Sequence, residues 1–141
     1  MNPFWKISGD QGSQLQVELV GPVATDEGYR WVPAVVTLSV GGFNAKVQMT
    51  LTADDIERFG EQLETTYKSL SGIAEFSTIE GQLTLEIEMN RQGHVKVSGR
   101  LGDDASFPNT LTFTFNSDQT FLPKTISELS AVRKELSGKA T

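Results

Sequence analysis

The chain has 141 residues, no cysteine, and 18 acidic against 12 basic side chains, for a formal net charge of −6. That is one domain's length, enough to bury a core without staples, and the missing cysteine excludes disulfides, thiol nucleophiles and cysteine-ligated zinc or iron–sulfur sites. The acidic balance, with a pI near 4.7, argues against nucleic acid or an anionic membrane as partner, since both require a basic footprint.

The opening residues Met1-Asn2-Pro3-Phe4-Trp5-Lys6 lack the basic stretch and apolar run of a signal peptide. No apolar run approaches the roughly 18 residues of a membrane span, so a cytoplasmic location is expected. Leu15, Val17 and Leu19 alternate with Gln16 and Glu18, the pattern of a half-buried strand. A breaker-rich loop from Gly21 to Gly28 follows. Trp31–Val40 and Phe43–Leu51 then flank Gly41-Gly42, which predicts a two-residue hairpin. Its register pairs Val40 with Phe43, Leu38 with Ala45, Val36 with Val47, Ala34 with Met49 and Val32 with Leu51. A one-residue slip would set apolar against polar along the whole ribbon. Pro33 is tolerable in this ribbon if the strand on its other side ends early.

Thr52 is an N-cap candidate, with Asp54 and Asp55 in the first turn where the helix dipole favours anions. Ile56, Phe59, Leu63, Tyr67 and Leu70 form one apolar stripe, and Gly72 is read as the stop. Gly60 inside this helix costs about 1 kcal/mol relative to alanine, so something is expected to pack against it. The second half repeats the plan. Ile73–Ser77 is a short strand, and Gln82–Asn90 returns through Arg91-Gln92-Gly93 with Gly93 left-handed. This pairs Met89 with Val95, Ile87 with Val97 and Leu83 with Leu101 inside, and Glu88 with Lys96 outside. Leu111, Phe113 and Phe115 alternate in a last strand. A second helix starts at Asp118 or Thr120, with Pro123 in its first turn, a stripe of Leu122, Ile126, Leu129, Val132 and Leu136, and Gly138 as its stop. The fold class is α+β: an antiparallel sheet of about seven to eight strands built from hairpins, with two helices, in the order four strands, helix, four strands, helix, as a single domain over residues 1–141.

Chemistry is sparse. His94 is the single histidine, which excludes a histidine-rich zinc site, and no Gly-x-Ser-x-Gly accompanies it; it reads as a turn-flanking residue. Gly9-Asp10-Gln11-Gly12 and Gly138-Lys139-Ala140-Thr141 match neither a dinucleotide fingerprint nor a P-loop and read as turn and tail. Glu86 and Glu88 share a strand face about 6.5–7 Å apart, a spacing compatible with glycosidic acid/base work, but an outer, solvated strand face is the plainer reading. Asp103-Asp104 lacks calcium-loop spacing and reads as a turn. No catalytic residue, metal ligand or cofactor is expected.

Two surfaces stand out. Asp54, Glu57, Glu61 and Glu64 cluster on one sector of the first helix, almost opposite its apolar stripe, with Lys68 placed to pair with Glu64. This face is either a solvated helix back or a docking patch for a cationic protein, where charge complementarity speeds encounter. Trp5, Tyr29 and Trp31, with Phe4, are candidate ligand or interface aromatics, or else core and rim of the first sheet.

The stretch Leu51-Thr-Ala-Asp-Asp-Ile-Glu-Arg-Phe-Gly-Glu-Gln-Leu63 resembles the small bacterial WapI-type immunity proteins and their uncharacterised relatives. So do Ala74-Glu-Phe, Leu83-Thr-Leu-Glu-Ile-Glu, Gly93-His-Val-Lys-Val, Leu111-Thr-Phe-Thr-Phe and Asp118-Gln-Thr-Phe-Leu. The likeness runs over about residues 30–136 as pattern and element order. It implies a protein that binds and neutralises a toxin without catalysis. The expectation is therefore a non-enzymatic, acidic, cytoplasmic protein-binding domain whose partner is a cationic toxin or secreted effector. A small apolar ligand held in a pocket between sheet and helices is the alternative.

Overall fold

The alternating stretches become nine strands and the two periodic stripes become helices, in a computed structural model that describes residues 2–106 and 108–138. In chain order the strands before the first helix are β1 (Phe4–Ser8), β2 (Gln14–Leu19), β3 (Ala24–Asp26), β4 (Tyr29–Val40) and β5 (Phe43–Thr52). Helix α1 (Ala53–Ser69) is followed by β6 (Gly72–Ser77), β7 (Leu83–Met89), β8 (His94–Gly102) and β9 (Thr110–Asp118), then α2 (Leu122–Gly138). The strand count exceeds the expected seven to eight because the breaker-rich loop holds the three-residue β3. It folds back on the start of β4 through a Glu27-Gly28 turn with both residues at positive φ.

The strands divide into two antiparallel sheets. One runs β1-β2-β4, with β3 and β5 both pairing β4, and the other is the meander β6-β7-β8-β9. The first hairpin has the expected register throughout, from Val40 opposite Phe43 to Val32 opposite Leu51. Pro33 is accommodated as anticipated: β2 leaves the ladder at Leu19, opposite Ala34, and the Pro33 carbonyl accepts the Val20 N–H at 2.9 Å. In the second sheet Met89, Ile87 and Leu83 oppose Val95, Val97 and Leu101, and Gly93 turns the hairpin at φ +84°.

Thr52 caps α1, its hydroxyl accepting the Asp55 N–H at 3.2 Å. The helix ends earlier than the sequence implied. Leu70 takes the left-handed C-cap position at φ 51°, where its side chain stays against the core, so Gly72 opens β6 rather than closing the helix. The expected start of α2 is a short 3₁₀ turn, Gln119–Phe121, which Asp118 caps by accepting the Thr120 N–H, and the α-helix proper begins at Leu122; it reaches Gly138, and residues 139–141 of the expected tail lie outside the described residues.

The core fills the space where sheets and helices meet. Trp5, Phe59 and Phe76 come from β1, α1 and β6, with ring centroids 5.2 to 5.9 Å apart, and at most 2% of any of the three is exposed. The helices also seal strand edges, which otherwise present unpaired backbone groups. On β1 the Lys6 N–H donates to the Glu128 carboxylate at 3.1 Å, and the Thr125 hydroxyl donates to the Lys6 carbonyl at 2.6 Å. On β6 the Glu75 N–H donates to the Gln62 side-chain carbonyl at 2.8 Å. Beside them, the Ser117 hydroxyl donates to the Ser8 carbonyl, joining β9 to β1.

Candidate functional site

The acidic face of α1 is not a bare helix back. Asp54, Glu57, Glu61 and Glu64 look toward two guanidinium groups brought from distant parts of the chain. Arg133 of α2 lies within 3.6 Å of Glu57, 3.9 Å of Glu61 and 3.2 Å of Glu64. Arg30 of β4 lies 3.2 Å from Asp54. Four carboxylates against two guanidinium groups leave the cluster at −2. The charge of Asp54 and Glu61 remains largely in solvent, at 62% and 70% side-chain exposure. The expected Glu64–Lys68 pair gives way to Glu64–Arg133. Asp55, its neighbour in the first turn, is instead buried and paired with Arg58 at 3.1 Å.

Gly60 explains how Arg133 reaches this face. A Cβ at position 60 would stand 2.8 Å from the Arg133 Cδ, so the missing side chain leaves the slot through which the arginine stem crosses α1. Sequence reasoning anticipated a close neighbour at Gly60 without identifying it. Arg133 and Arg30 carry no local signal, since each meets its carboxylates only after folding.

The three candidate aromatics part company. Trp5 is fully buried in the core and therefore not a surface residue, because β1 places it, with Ile7, on the inner face. Tyr29 and Trp31 lie two residues apart on the opposite face of β4, with rings 5.6 Å apart. The Trp31 indole N–H donates to the Asp26 carbonyl at 3.2 Å, which fixes its plane. Trp31 also pairs with Thr52, the α1 cap. Alternation puts Arg30, which meets Asp54, on the other face of β4, so the aromatic pair nears the α1 cap through the backbone only. The structure thus places Tyr29 and Trp31 at the surface near the α1 cap, on the face of β4 opposite Arg30, and Trp5 in the core.

The remaining chemical candidates are scattered. His94 is exposed beside the Gly93 turn, its backbone N–H donating to Asn90 Oδ1. Glu86 and Glu88 are exposed on the outer face of β7, with Glu75 directly opposite Glu86 and Lys96 opposite Glu88. Asp103 is a loop tie: its carboxylate accepts the Asn109 backbone N–H at 2.7 Å and the Asn109 amide at 3.1 Å. The Asn109 side-chain and then backbone bonds hold this carboxyl below the ordinary value. Among the described residues no group of three His, Cys, Asp or Glu could hold a metal, and no helix is long and apolar enough to cross a membrane. The described cavities include a shallow groove of about 620 Å³ between the helices, lined by Tyr67, Pro123, Ile126 and Ala131.

Solved structures share the fold. The plant transcriptional regulator PBF-2 aligns with 98% of this chain and 84% of its own at 14% identity and a TM-score of 0.54. WHY1 from Arabidopsis thaliana aligns with 98% and 86% at 15% identity and 0.50. No curated protein matches the sequence. The Immunity protein WapI-like family matches residues 6–137, across both sheets and both helices. The chain that carries this helix face and aromatic pair belongs to the immunity protein WapI-like family.

Proposed function

We propose that this chain is an immunity protein that acts in the cytoplasm by stoichiometric binding to a cationic toxin, without catalysis. The observation that carries the reading is the acidic face of α1, where Asp54 and Glu61 stay 62% and 70% exposed despite Arg30 and Arg133; Tyr29 and Trp31 form a separate surface pair near the α1 cap. Partly compensated carboxylates, and separately an exposed aromatic pair, suit a partner rich in lysine or arginine. The rings offer cation–π faces, and the residual charge steers encounter. Family membership supports the immunity role. Glu86 and Glu88 project from the exposed outer face of β7, where Lys96 stands opposite Glu88, which favours binding over acid/base chemistry.

The test is co-expression with a candidate cationic toxin, recovery of a one-to-one complex, and titration calorimetry. Trp31→Ala, and separately the triple change Asp54→Asn, Glu57→Gln, Glu61→Gln, should each weaken binding about ten-fold or more and reduce protection of the host. Undiminished affinity in both variants would remove this surface from the mechanism.

A further inference from the structure

We propose that the free edge of β5 is a second interaction surface, which takes an extended segment of a partner protein by strand addition. That segment carries an acidic side chain opposite Lys46, between two apolar ones. The inference rests on none of the residues of the acidic helix face.

The two-residue loop makes Val40 and Phe43 a hydrogen-bonded pair. Counting along β5, Phe43, Ala45 and Val47 then turn their backbone groups toward β4. Asn44, Lys46 and Gln48 turn theirs away. Among the described residues β5 pairs with β4 alone, through ten consecutive residue pairs without a bulge. Among the described residues, no backbone bond outside the ladder falls on these three. The edges of β1 and β6 are treated differently, since side chains of α2 and α1 take up their Lys6 and Glu75 groups. The open stretch has no proline, and its one charged side chain is Lys46.

The side chains beside the bare edge specify what would fit. Strand addition gives affinity through the backbone and specificity through alternate side chains. Phe43 is 63% exposed, and Ala45 is half-buried on the same face; a partner strand with apolar residues flanking its central position would cover both. Lys46 projects on the other face and has no ion pair among the described residues. An acidic residue directly opposite it forms a favourable cross-strand pair. A second copy of this chain fits worse. Symmetric pairing about Lys46 sets two ammonium groups opposite each other, and pairing about Ala45 places each Lys46 opposite Asn44, with no counter-charge.

The probe is an acetylated, amidated peptide, Thr-Val-Glu-Val-Thr-Ile, titrated into the intact protein and followed by amide NMR. The expected result is shifts and exchange protection at Asn44, Lys46 and Gln48, with the β2 amides unmoved. Affinity should fall about ten-fold or more when the peptide Glu is replaced by Lys, and when Lys46→Glu is introduced. The Lys-bearing peptide should recover binding to Lys46→Glu, and N-methylation of the peptide backbone on its bonding side should abolish it. Three outcomes overturn the proposal: no response at these amides at millimolar peptide, equal binding of the Glu and Lys peptides, or protection that grows with protein concentration in the absence of peptide.

Discussion

Replacing Arg133 with methionine keeps an unbranched stem that can still pass Gly60 and deletes only the charge. Arg133 is 19% exposed, and its strongest partners are Glu64 at 3.2 Å and Glu57 at 3.6 Å, which are 37% and 32% exposed. Glu61, at 3.9 Å and 70% exposed, contributes least. Exposed pairs are each worth about 0.2–1 kcal/mol, and the carboxylates left behind repel along the helix by a few tenths. Arg133→Met should therefore destabilise the fold by about 1–2 kcal/mol, read as a lower urea midpoint at unchanged slope. In a background carrying Glu57→Gln and Glu64→Gln the same change should cost less than about 0.5 kcal/mol, and added salt should shrink the difference in the parent. An equal, salt-insensitive cost in both backgrounds would refute the electrostatic role and leave Arg133 as a packing stem.

Gly60→Ala sets a gain of about 1 kcal/mol in helix propensity against displacement of the arginine stem; it should be neutral or destabilising in the parent and stabilising by about 1 kcal/mol once Arg133→Ala has emptied the slot. Trp5→Ala should cost about 3–5 kcal/mol by thermal or urea unfolding. Trp5→Phe should cost less than about 2 kcal/mol, because the buried indole N–H has no partner among the described residues and its removal relieves a desolvation penalty of about 1–3 kcal/mol. The Asp103 tie lowers the folded pKa. Its stabilisation is therefore present at and above the ordinary carboxylate range and lost as pH falls through the lowered folded value. The protection factor of the Asn109 amide should fall on that acidification, and Asp103→Ala should lower it at neutral pH. Single-stranded DNA should not shift the chain's mobility in a gel at physiological salt, despite the fold shared with a plant transcriptional regulator, because the −6 charge offers little for phosphates.

What the sequence disclosed follows the range of the physics involved. The β4–β5 and β7–β8 registers were legible because a short turn fixes the phase and alternation then propagates it. The caps at Thr52 and Asp118 were equally local. The separation into two sheets was not legible, since hairpins specify neighbours and say nothing about which ribbons join. Leu70 as a left-handed cap defied the glycine rule because its side chain is held by the core, outweighing backbone preference. In the site, the acidic sector could be drawn on a wheel, but its compensation by Arg133 depends on a contact spanning 69 residues. Trp5 and Trp31 look alike in sequence, and the face each takes on its strand decides that one is core and the other surface.

The sealing of β1 has a bearing on how the molecule is made. The groups that close its edge, Thr125 and Glu128, lie 119 and 122 residues downstream of Lys6. During synthesis the first sheet therefore emerges with that margin unprotected, and it stays so until nearly the whole described chain has left the ribosome. Stalled or truncated products lacking α2 would carry a sticky ribbon, which makes the second helix a late quality checkpoint as well as a structural layer.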